Sequence, residues 1–292
     1  MTEAVCLVDA HARIGESPVW CARERVLYWI DIYGPALYRY DPATGENRAW
    51  PMPEPIGCIA VREGGGLIAG MRSGFAFIDL ETGAVTPLHD PEADDPGTRL
   101  NDGRCDRRGR MWAGSMVEDR GRADGALWRY DPDGACHRML GGLIISNGLA
   151  WSPDDSTMYH CCTRTRTVHA YDFDIEAGTV SNKRIFFTTD DTKGEGRPDG
   201  AAVDAEGCYW SARYDGWRLV RHDPDGIEMR IVEMPVAAVT MCAFGGDDLD
   251  LLYVTSASQR LTDADLKSQP QAGGLFALDV GVKGLPEPRF AG

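Results

Sequence analysis

The pattern that decides the fold is contained in Gly196–Asp204, which reads Gly-Arg-Pro-Asp-Gly-Ala-Ala-Val-Asp. An acid precedes a glycine there, and a short apolar segment follows. Two close copies are Asn101-Asp102-Gly103 and Ser146-Asn147-Gly148, and Gly15-Glu16-Ser17 is a looser one. The first stretch and its two close copies are each followed by a turn and then by a strand-like segment with Trp or Tyr. One polar residue therefore recurs at the same position of several repeats.

The segments between these copies are short, apolar and separated by turn-forming residues, which is typical of antiparallel β-structure. Six units can be recognised. In each of them the third strand-like segment closes on an aspartate: Asp41, Asp79, Asp131, Asp172, Asp223 and Asp279. Repeats of about 40–50 residues with four strands each are typical of a β-propeller. The sequence therefore predicts an all-β, six-bladed β-propeller with four antiparallel strands per blade, formed as a single domain by residues 1–292.

The N-terminal segment Val5–Val8 precedes the first unit, and we expect it to join the last blade beside Gly274–Asp279. Such closure ties the chain ends together and removes a free strand edge. A parallel α/β fold is disfavoured because the best helical candidate, Thr262–Gln269, is short. A two-sheet sandwich remains the alternative, since strand spacing alone does not separate it from a propeller.

Composition narrows the class of partner and the compartment. The 292 residues carry 45 acids and 30 bases, a net charge of −15, which argues against a nucleic-acid or anionic-membrane partner. The nine cysteines form no C-x-x-C pair and read as buried thiols of a reducing compartment. The N-terminus lacks a signal-peptide pattern, and no apolar run approaches the ~18 residues of a membrane span. We therefore expect a soluble cytoplasmic protein, monomeric or weakly homo-oligomeric.

In a propeller the innermost strand of each blade lines a central channel. Residues just before those strands should meet at one mouth of the channel, and here they are Glu16, Asn101, Asn147 and Asp199. Two carboxylates and two amides suit a hard cation such as Ca²⁺, Mg²⁺ or Mn²⁺, and argue against structural zinc, although catalytic Zn²⁺ or Fe²⁺ accepts oxygen ligands. The alternative interpretation is that Asn-Asp-Gly, Ser-Asn-Gly and Pro-Asp-Gly are merely turns.

The chain resembles the senescence-marker-protein/gluconolactonase family, which includes regucalcin and bacterial sugar lactonases. The resemblance covers nearly the whole chain and is carried by these stretches: Gly15–Trp20, Arg99–Gly103, Met111–Met116, Ser146–Gly148, Pro198–Gly200, Cys242–Gly246 and Ala272–Phe276. It implies a six-bladed propeller that binds one catalytic divalent metal and hydrolyses aldonolactones. It also implies that Glu16, Asn147 and Asp199 are metal ligands, and that Arg99 and Asn101 bind the substrate.

One loop departs from the family pattern. Regucalcin-like members have a substrate-contacting Glu before the strand that begins near Ala126, and this chain has Gly121 there. Glu118 or Arg122 could substitute, or the loop could simply be solvated. Whether the loops 117–125 and 262–271 shape the pocket is left open by the sequence.

The chemistry expected from this resemblance is the opening of a sugar lactone, a small-molecule ester, with the metal acting on its carbonyl and Asp199 assisting the attack of water. Two alternatives remain. One is a paraoxonase-like ester or phosphotriester hydrolase, although residues for only one metal are found. The other is a calcium-binding propeller without catalysis.

Overall fold

Aspartate turns divide the chain into short strands. Asp41, Asp79 and Asp223 each follow the third strand of a blade, and Oδ1 of each accepts a hydrogen bond from the backbone N–H two residues later, at 2.9–3.0 Å. This side-chain bond holds the chain in a tight reversal and so sets where the next strand begins. The sequence pattern of a closing aspartate therefore has a direct geometric cause.

The structure is a computed structural model that describes residues 3–292 and consists of six four-stranded antiparallel sheets. Met1 and Thr2, which belong to the N-terminus searched above for a signal-peptide pattern, lie outside the described residues. The strands of the first three blades are β2 Gly15–Cys21, β3 Val26–Asp31, β4 Ala36–Tyr40, β5 Asn47–Pro51, β6 Ile56–Val61, β7 Leu67–Met71, β8 Gly74–Ile78, β9 Val85–His89, β10 Thr98–Cys105, β11 Met111–Val117, β12 Gly125–Tyr130 and β13 Cys136–Leu143. Those of the other three are β14 Ser146–Trp151, β15 Thr157–Cys162, β16 Thr167–Asp174, β17 Thr179–Thr188, β18 Arg197–Val203, β19 Tyr209–Tyr214, β20 Arg218–His222, β21 Glu228–Glu233, β22 Val239–Gly245, β23 Leu251–Ser256 and β24 Leu275–Asp279, with β1 Val5–Val8.

The sixth blade is completed by both ends of the chain. β1 pairs antiparallel with β24, with Val5 opposite Ala277, and the sheet order is β1-β24-β23-β22. A strand from the N-terminus thus covers the edge that β24 would otherwise expose. The predicted six-bladed propeller, with four antiparallel strands per blade and N-terminal closure, is confirmed.

Large aromatic side chains fill the space between blades. Trp112 on β11 is fully buried and packs edge-on against Trp151 and Phe173 of the next blade, with ring centroids 5.9 and 5.8 Å apart. Its indole N–H donates to Asp106 Oδ2 at 2.7 Å, so the one polar atom of the ring is satisfied. Trp210 on β19 makes the same bond to Asp204 Oδ2 at 2.9 Å. The contacts between these blades are therefore apolar, and the indole N–H groups of Trp112 and Trp210 are each satisfied by an aspartate.

The far end of the channel is covered by the C-terminal segment. Phe290 is buried, and its N–H donates to the carbonyl of Val61 at 2.9 Å. Glu287 forms a 2.9 Å ion pair with Arg104, which lies near the end of inner strand β10. A cavity of about 40 Å³ remains under this segment. The opposite end of the channel, where the inner strands begin, forms the mouth described below.

Helical structure in residues 3–292 consists of one α-helix, α1 Asp263–Ser268, and two 3₁₀ turns, Thr163–Thr165 and Asp191–Lys193. Thr262 and Asp265 cap the N-terminus of α1 reciprocally, as the sequence around the predicted short helix suggests. None of the helices in the described part of the chain is long and apolar enough to cross a membrane.

Candidate active site

The recurring acid–glycine stretches are bulged strands and not turns. In β14, two residues, Gly148 and Leu149, face a single residue of β15, and β2, β10 and β18 show the same break in register. Asn147 and its equivalents therefore lie inside the inner strands, which corrects the expected position just ahead of them. Asn-Gly and Asp-Gly sequences favour a bulge as well as a turn, since Gly148 takes a positive φ of 66° without steric cost. A bulge re-aims the adjacent side chain, here toward the channel mouth.

Four of the predicted site residues form one chain of hydrogen bonds. Arg99 Nη1 donates to Asn101 Oδ1 at 2.9 Å, and Asn101 Nδ2 donates to Asn147 Oδ1 at 3.0 Å. Asn147 Nδ2 then donates to Asp199 Oδ1 at 2.6 Å and to Thr163 Oγ1 at 2.8 Å. Residues separated by a hundred positions in the sequence thus have fixed relative orientations. Because each amide is used on both sides, none of these side chains can rotate alone.

Glu16 completes the group from the first blade. It lines, together with Arg99, Asn101, Asn147 and Asp199, a solvent-open cavity of about 80 Å³. All five residues that the sequence singled out therefore meet at one mouth of the channel.

The two carboxylates of this cavity are buried, and no ion pair compensates them in the described residues. Glu16 is 6% exposed and Asp199 is 8% exposed, and in the described chain neither forms an ion pair. Burial, followed by the charge of Asp199, raises the pKa of Glu16 well above its usual range. Burial, followed by the charges of Asp102 and Asp215, does the same to the pKa of Asp199. Two buried acids in one cavity are unfavourable unless a cation or protons compensate them.

These residues fit a hard divalent cation. Ser17 N–H donates to Glu16 Oε2 and Asn147 donates to Asp199 Oδ1, which leaves Glu16 Oε1 and Asp199 Oδ2 without a hydrogen-bond partner in residues 3–292. Both carboxylates line the same cavity, beside the amide groups of Asn101 and Asn147. Within residues 3–292 there is no group of three or more His, Cys, Asp or Glu with metal-binding geometry. The oxygen donors of this cavity are therefore limited to two carboxylates and the neighbouring amides. Such a set favours Ca²⁺, Mg²⁺ or Mn²⁺ chemistry.

A buried serine–histidine pair lies next to the hydrogen-bond network. Ser146 Oγ lies 2.7 Å from His160 Nε2, and the carbonyl of Ser146 accepts a hydrogen bond from Asn101 Nδ2 at 2.9 Å. Ser146 and His160 are both 1% exposed, and burial lowers the pKa of His160 to about 3. The imidazole is therefore neutral, and the pair fixes inner strand β14 against β15.

The loop 117–125 contributes a residue that the sequence did not identify. Glu118 pairs with Arg72 at 2.5 Å, and Arg122 pairs with Asp95 at 2.6 Å, so neither of the expected substitutes faces the cavity. Arg120 lines it instead. In the sequence its only signal is its place in the one loop that departs from the family pattern.

Two further loops add lining residues. Tyr33 follows β3, and Arg260 follows β23 and precedes α1. Neither lies in a repeated motif, so the sequence gives no reason to single them out. Of the two loops left open above, 117–125 reaches the cavity, whereas no residue of 262–271 lines it.

Comparison with known proteins agrees with this architecture. The chain is 41% identical over 290 residues to a 6-deoxy-6-sulfogluconolactonase of Pseudomonas putida, with 98% of each chain covered. It is 38% identical over 296 residues to an L-arabinolactonase of Azospirillum brasilense, with 99% of this chain and 96% of that protein covered. These relatives are lactonases, which hydrolyse carboxylic esters, and the predicted enzyme class is thereby confirmed.

A solved structure and a family match complete the comparison. The structure of a calcium-binding protein, regucalcin, from Agrobacterium tumefaciens strain C58 superposes with a TM-score of 0.93 at 28% identity, covering 98% of this chain and 96% of that one. Residues 14–258 match the family described as SMP-30/Gluconolactonase/LRE-like region. Because the family match covers most of the chain and the relatives are similar over nearly its whole length, the chain belongs to the SMP-30/gluconolactonase family.

Proposed function

We propose that the cavity hydrolyses an aldonolactone to the aldonic acid and that the reaction depends on one divalent metal. The observation that carries the proposal is the pair of buried carboxylates, Glu16 and Asp199, each with one oxygen unbonded in the described chain and both beside an amide network. The names of the lactonase relatives support a sugar lactone as substrate. The calcium-binding relative supports a divalent ion.

Glu16, Asn147 and Asp199 would hold the ion, with Asn101 beside them. For Asn147 this requires its amide oxygen to face the ion, whereas Asn147 Oδ1 now accepts from Asn101 Nδ2. When bound, such an ion supplies polarisation of the lactone carbonyl and stabilises the negative charge that develops on its oxygen.

Asp199 is the group placed to take a proton from the attacking water. Its Oδ1 is held by the amide of Asn147 at 2.6 Å, and its Oδ2 remains free in residues 3–292. A carboxylate with one unbonded oxygen at the site of attack can act as a general base. The position of Asp199 in the cavity supports this role.

Arg99 and Asn101 orient the substrate. Arg99 is 3% exposed, and its guanidinium stacks at 5.3 Å over the ring of Tyr33 while Nη1 holds Asn101. Both Arg99 and Asn101 line the cavity. Ring hydroxyls of a sugar lactone that hydrogen-bond to these two side chains would fix the carbonyl with respect to Asp199.

The test is hydrolysis of a panel of γ- and δ-aldonolactones in a pH-stat, with metal-defined protein and with chelator. We expect turnover that chelator abolishes and that one divalent ion restores. Asp199→Ala should lose about 100-fold or more in kcat. Near-wild-type turnover by this variant with metal still bound would contradict the role of Asp199.

Two further arms of the assay separate the alternative functions. Preference for an aryl ester or a phosphotriester over every lactone would indicate the paraoxonase-like activity. If metal binds but no ester of any kind is hydrolysed, the site is a calcium-binding site without catalysis.

A further inference from the structure

The mouth of the cavity is positively charged although the protein is acidic. Four arginines line the cavity against two carboxylates, in a chain whose net charge is −15. Arg99 lies deep in the cavity and is engaged with Asn101. The other three are Arg120, which follows β11, Arg197 at the start of β18, and Arg260, which follows β23. Each of three separate blades thus contributes one arginine to the same opening.

Two of these cations form no ion pair in the described residues. Arg197 pairs with Asp215 at 3.2 Å. No ion pair or side-chain hydrogen bond in residues 3–292 involves the guanidinium of Arg120 or that of Arg260. The two guanidinium groups are close enough to interact. Burial lowers the pKa of Arg120 most, and the charge of Arg260 is the second cause that lowers it. Unpaired like charges at one opening destabilise each other, and an anion between them would relieve this.

The loop that carries Arg120 is fixed on both sides of it. Glu118 is held by Arg72, and Arg122 makes two hydrogen bonds to Asp95, at 2.7 and 2.6 Å. Arg120 itself has a positive φ of 56°, a left-handed conformation that is unfavourable for a residue with a side chain. The loop therefore presents one particular side chain to the cavity, and does so at some conformational cost.

Arg260 is presented in the same way. The two residues before it are anchored to the chain just ahead of β2. Ser258 N–H donates to the carbonyl of Ala12 at 3.0 Å, and Gln259 N–H donates to that of Arg13 at 2.9 Å. Its φ is also positive, at 76°. The anchored backbone therefore fixes where the Arg260 side chain enters the rim of the cavity.

The rim is also within electrostatic reach of the proposed base. Tyr214 lines the same cavity. Burial, followed by the charges of Asp215 and Asp199, raises the pKa of its hydroxyl, and the charges of Arg260 and Arg120 lower it. One side chain therefore senses both the carboxylate and the two arginines. A substrate whose carbonyl lies at Asp199 would extend its other end toward the rim.

We propose that Arg120 and Arg260 bind an anionic substituent, such as a sulfonate, phosphate or carboxylate, on the end of the substrate remote from the lactone carbonyl. This inference rests on the lactonase function proposed above and adds the class of lactone: an acidic sugar lactone. Guanidinium groups suit such oxyanions because their N–H donors match the oxygens in geometry and charge.

The experiment compares glucono-1,5-lactone with its derivatives that carry a sulfonate, a phosphate or a carboxylate at C6. We expect kcat/KM for at least one charged derivative to exceed that for the neutral lactone by about tenfold or more. Arg120→Asn and Arg260→Asn should each lower this preference about tenfold, mainly through KM. Asparagine is chosen because it tolerates a left-handed backbone. The derivative with the highest preference identifies the anion.

Arg164→Asn is the matched control. Arg164 is exposed, lies close enough to influence Arg120, but does not line the cavity. If it lowers the preference as much as Arg120→Asn, long-range attraction explains the effect and the binding inference is overturned. Binding of the ring-opened charged product, measured by calorimetry, should weaken in the Arg120 and Arg260 variants and not in the control.

The two proposals fail separately. Hydrolysis of neutral and charged lactones at equal efficiency, unaffected by either rim variant, would overturn the anion site and leave the lactonase function standing. Hydrolysis of none of the lactones would overturn the lactonase function itself.

Discussion

Glu16 and Asp199 occupy positions where carboxylates are unfavourable in the absence of a cation. Both are nearly fully buried, and neither forms an ion pair in the described chain. Residues of this kind reduce folding stability in exchange for a binding site, a pattern found at many functional sites. Their effect on stability should therefore depend on metal.

Asp199→Asn tests this dependence. Burial raises the pKa of Asp199, so its charged form is less favourable in the folded state than in the unfolded chain. With chelator present, we expect the variant to melt about 2 °C or more above the wild type, because one buried charge is gone. With saturating Ca²⁺ or Mn²⁺ the order should reverse. The same order in both conditions, measured by calorimetry, would contradict a metal site at Asp199.

His222 provides a pH-dependent contribution away from the site. Its ring stacks on Phe187 with centroids 3.9 Å apart, and Arg213 Nη2 lies 2.9 Å from Nε2. Burial, followed by the charge of Arg213, lowers its pKa from 6.5 to about 4. In the unfolded chain the imidazole of His222 is therefore protonated below about pH 6.5, whereas in the folded chain it is protonated only below about pH 4.

Folding stability should consequently fall as the pH drops from about 6.5 to about 4, with His222 contributing at most about 3 kcal/mol of the loss. His222→Gln keeps an acceptor for Arg213 but does not titrate. Urea unfolding at pH 7.5 and pH 4.5 should show a smaller loss for this variant than for the wild type. Equal losses would exclude His222 as a source of the pH dependence.

At the scale of elements, the bulged inner strand is the unit that builds the site. Each bulge turns a polar side chain toward the channel mouth, and the residue after it allows the neighbouring inner strand to approach. A Cβ atom on Gly200 of β18 would lie 2.4 Å from Met241 Cγ and 2.9 Å from Met241 Cα, both on β22. The glycine of the acid–glycine stretch is thus required by the packing of two strands.

Gly200→Ala should therefore both destabilise the protein and displace Asp199. Because the contact includes backbone, relief requires a shift of β18 relative to β22, at a cost of about 1–3 kcal/mol. We expect a lower melting temperature and weaker metal binding. Gly64→Ala is the control, since its Cβ would meet nothing closer than 3.9 Å. Equal melting temperatures of the two variants would show that the close approach is unimportant.

At the scale of the whole molecule, closure is shared between the two ends of the chain. β1 covers β24, and the C-terminal segment covers the far end of the channel through Phe290 and the Glu287–Arg104 ion pair. Each blade packs only on its neighbours, so opening one blade exposes two faces. Such a ring favours unfolding as a single unit.

We accordingly predict one cooperative thermal transition for residues 1–292, with calorimetric and van't Hoff enthalpies in agreement. Removal of residues 1–8 should lower the melting temperature, because it exposes the edge of β24 and the apolar surface beneath β1. Two resolved transitions in the full chain would contradict the prediction of a single domain. The substitution Val5→Ala serves as the control, since Val5 is 59% exposed.

Prediction from the sequence reached some parts of the molecule and not others. The six units and their closing aspartates could be read because turn chemistry and apolar alternation are local. The outer strands were expected but could not be positioned. β17, for example, is largely exposed and lacks an apolar alternation that would mark its ends.

The sequence by itself predicted the six units, the closing strand Val5–Val8 and the positions of Glu16, Asn101, Asn147 and Asp199, because four of the units carry a copy of the same motif; Arg99 was predicted from the family resemblance. Only the tertiary structure decided that Asn101, Asn147 and Asp199 share one hydrogen-bond network, and that Arg120 and Arg260 stand unpaired at its mouth in the described chain. The physical reason is that bulges and loops aim side chains across blades. Contacts between blades depend on how the six sheets pack around the channel, and no local stretch of sequence encodes that packing.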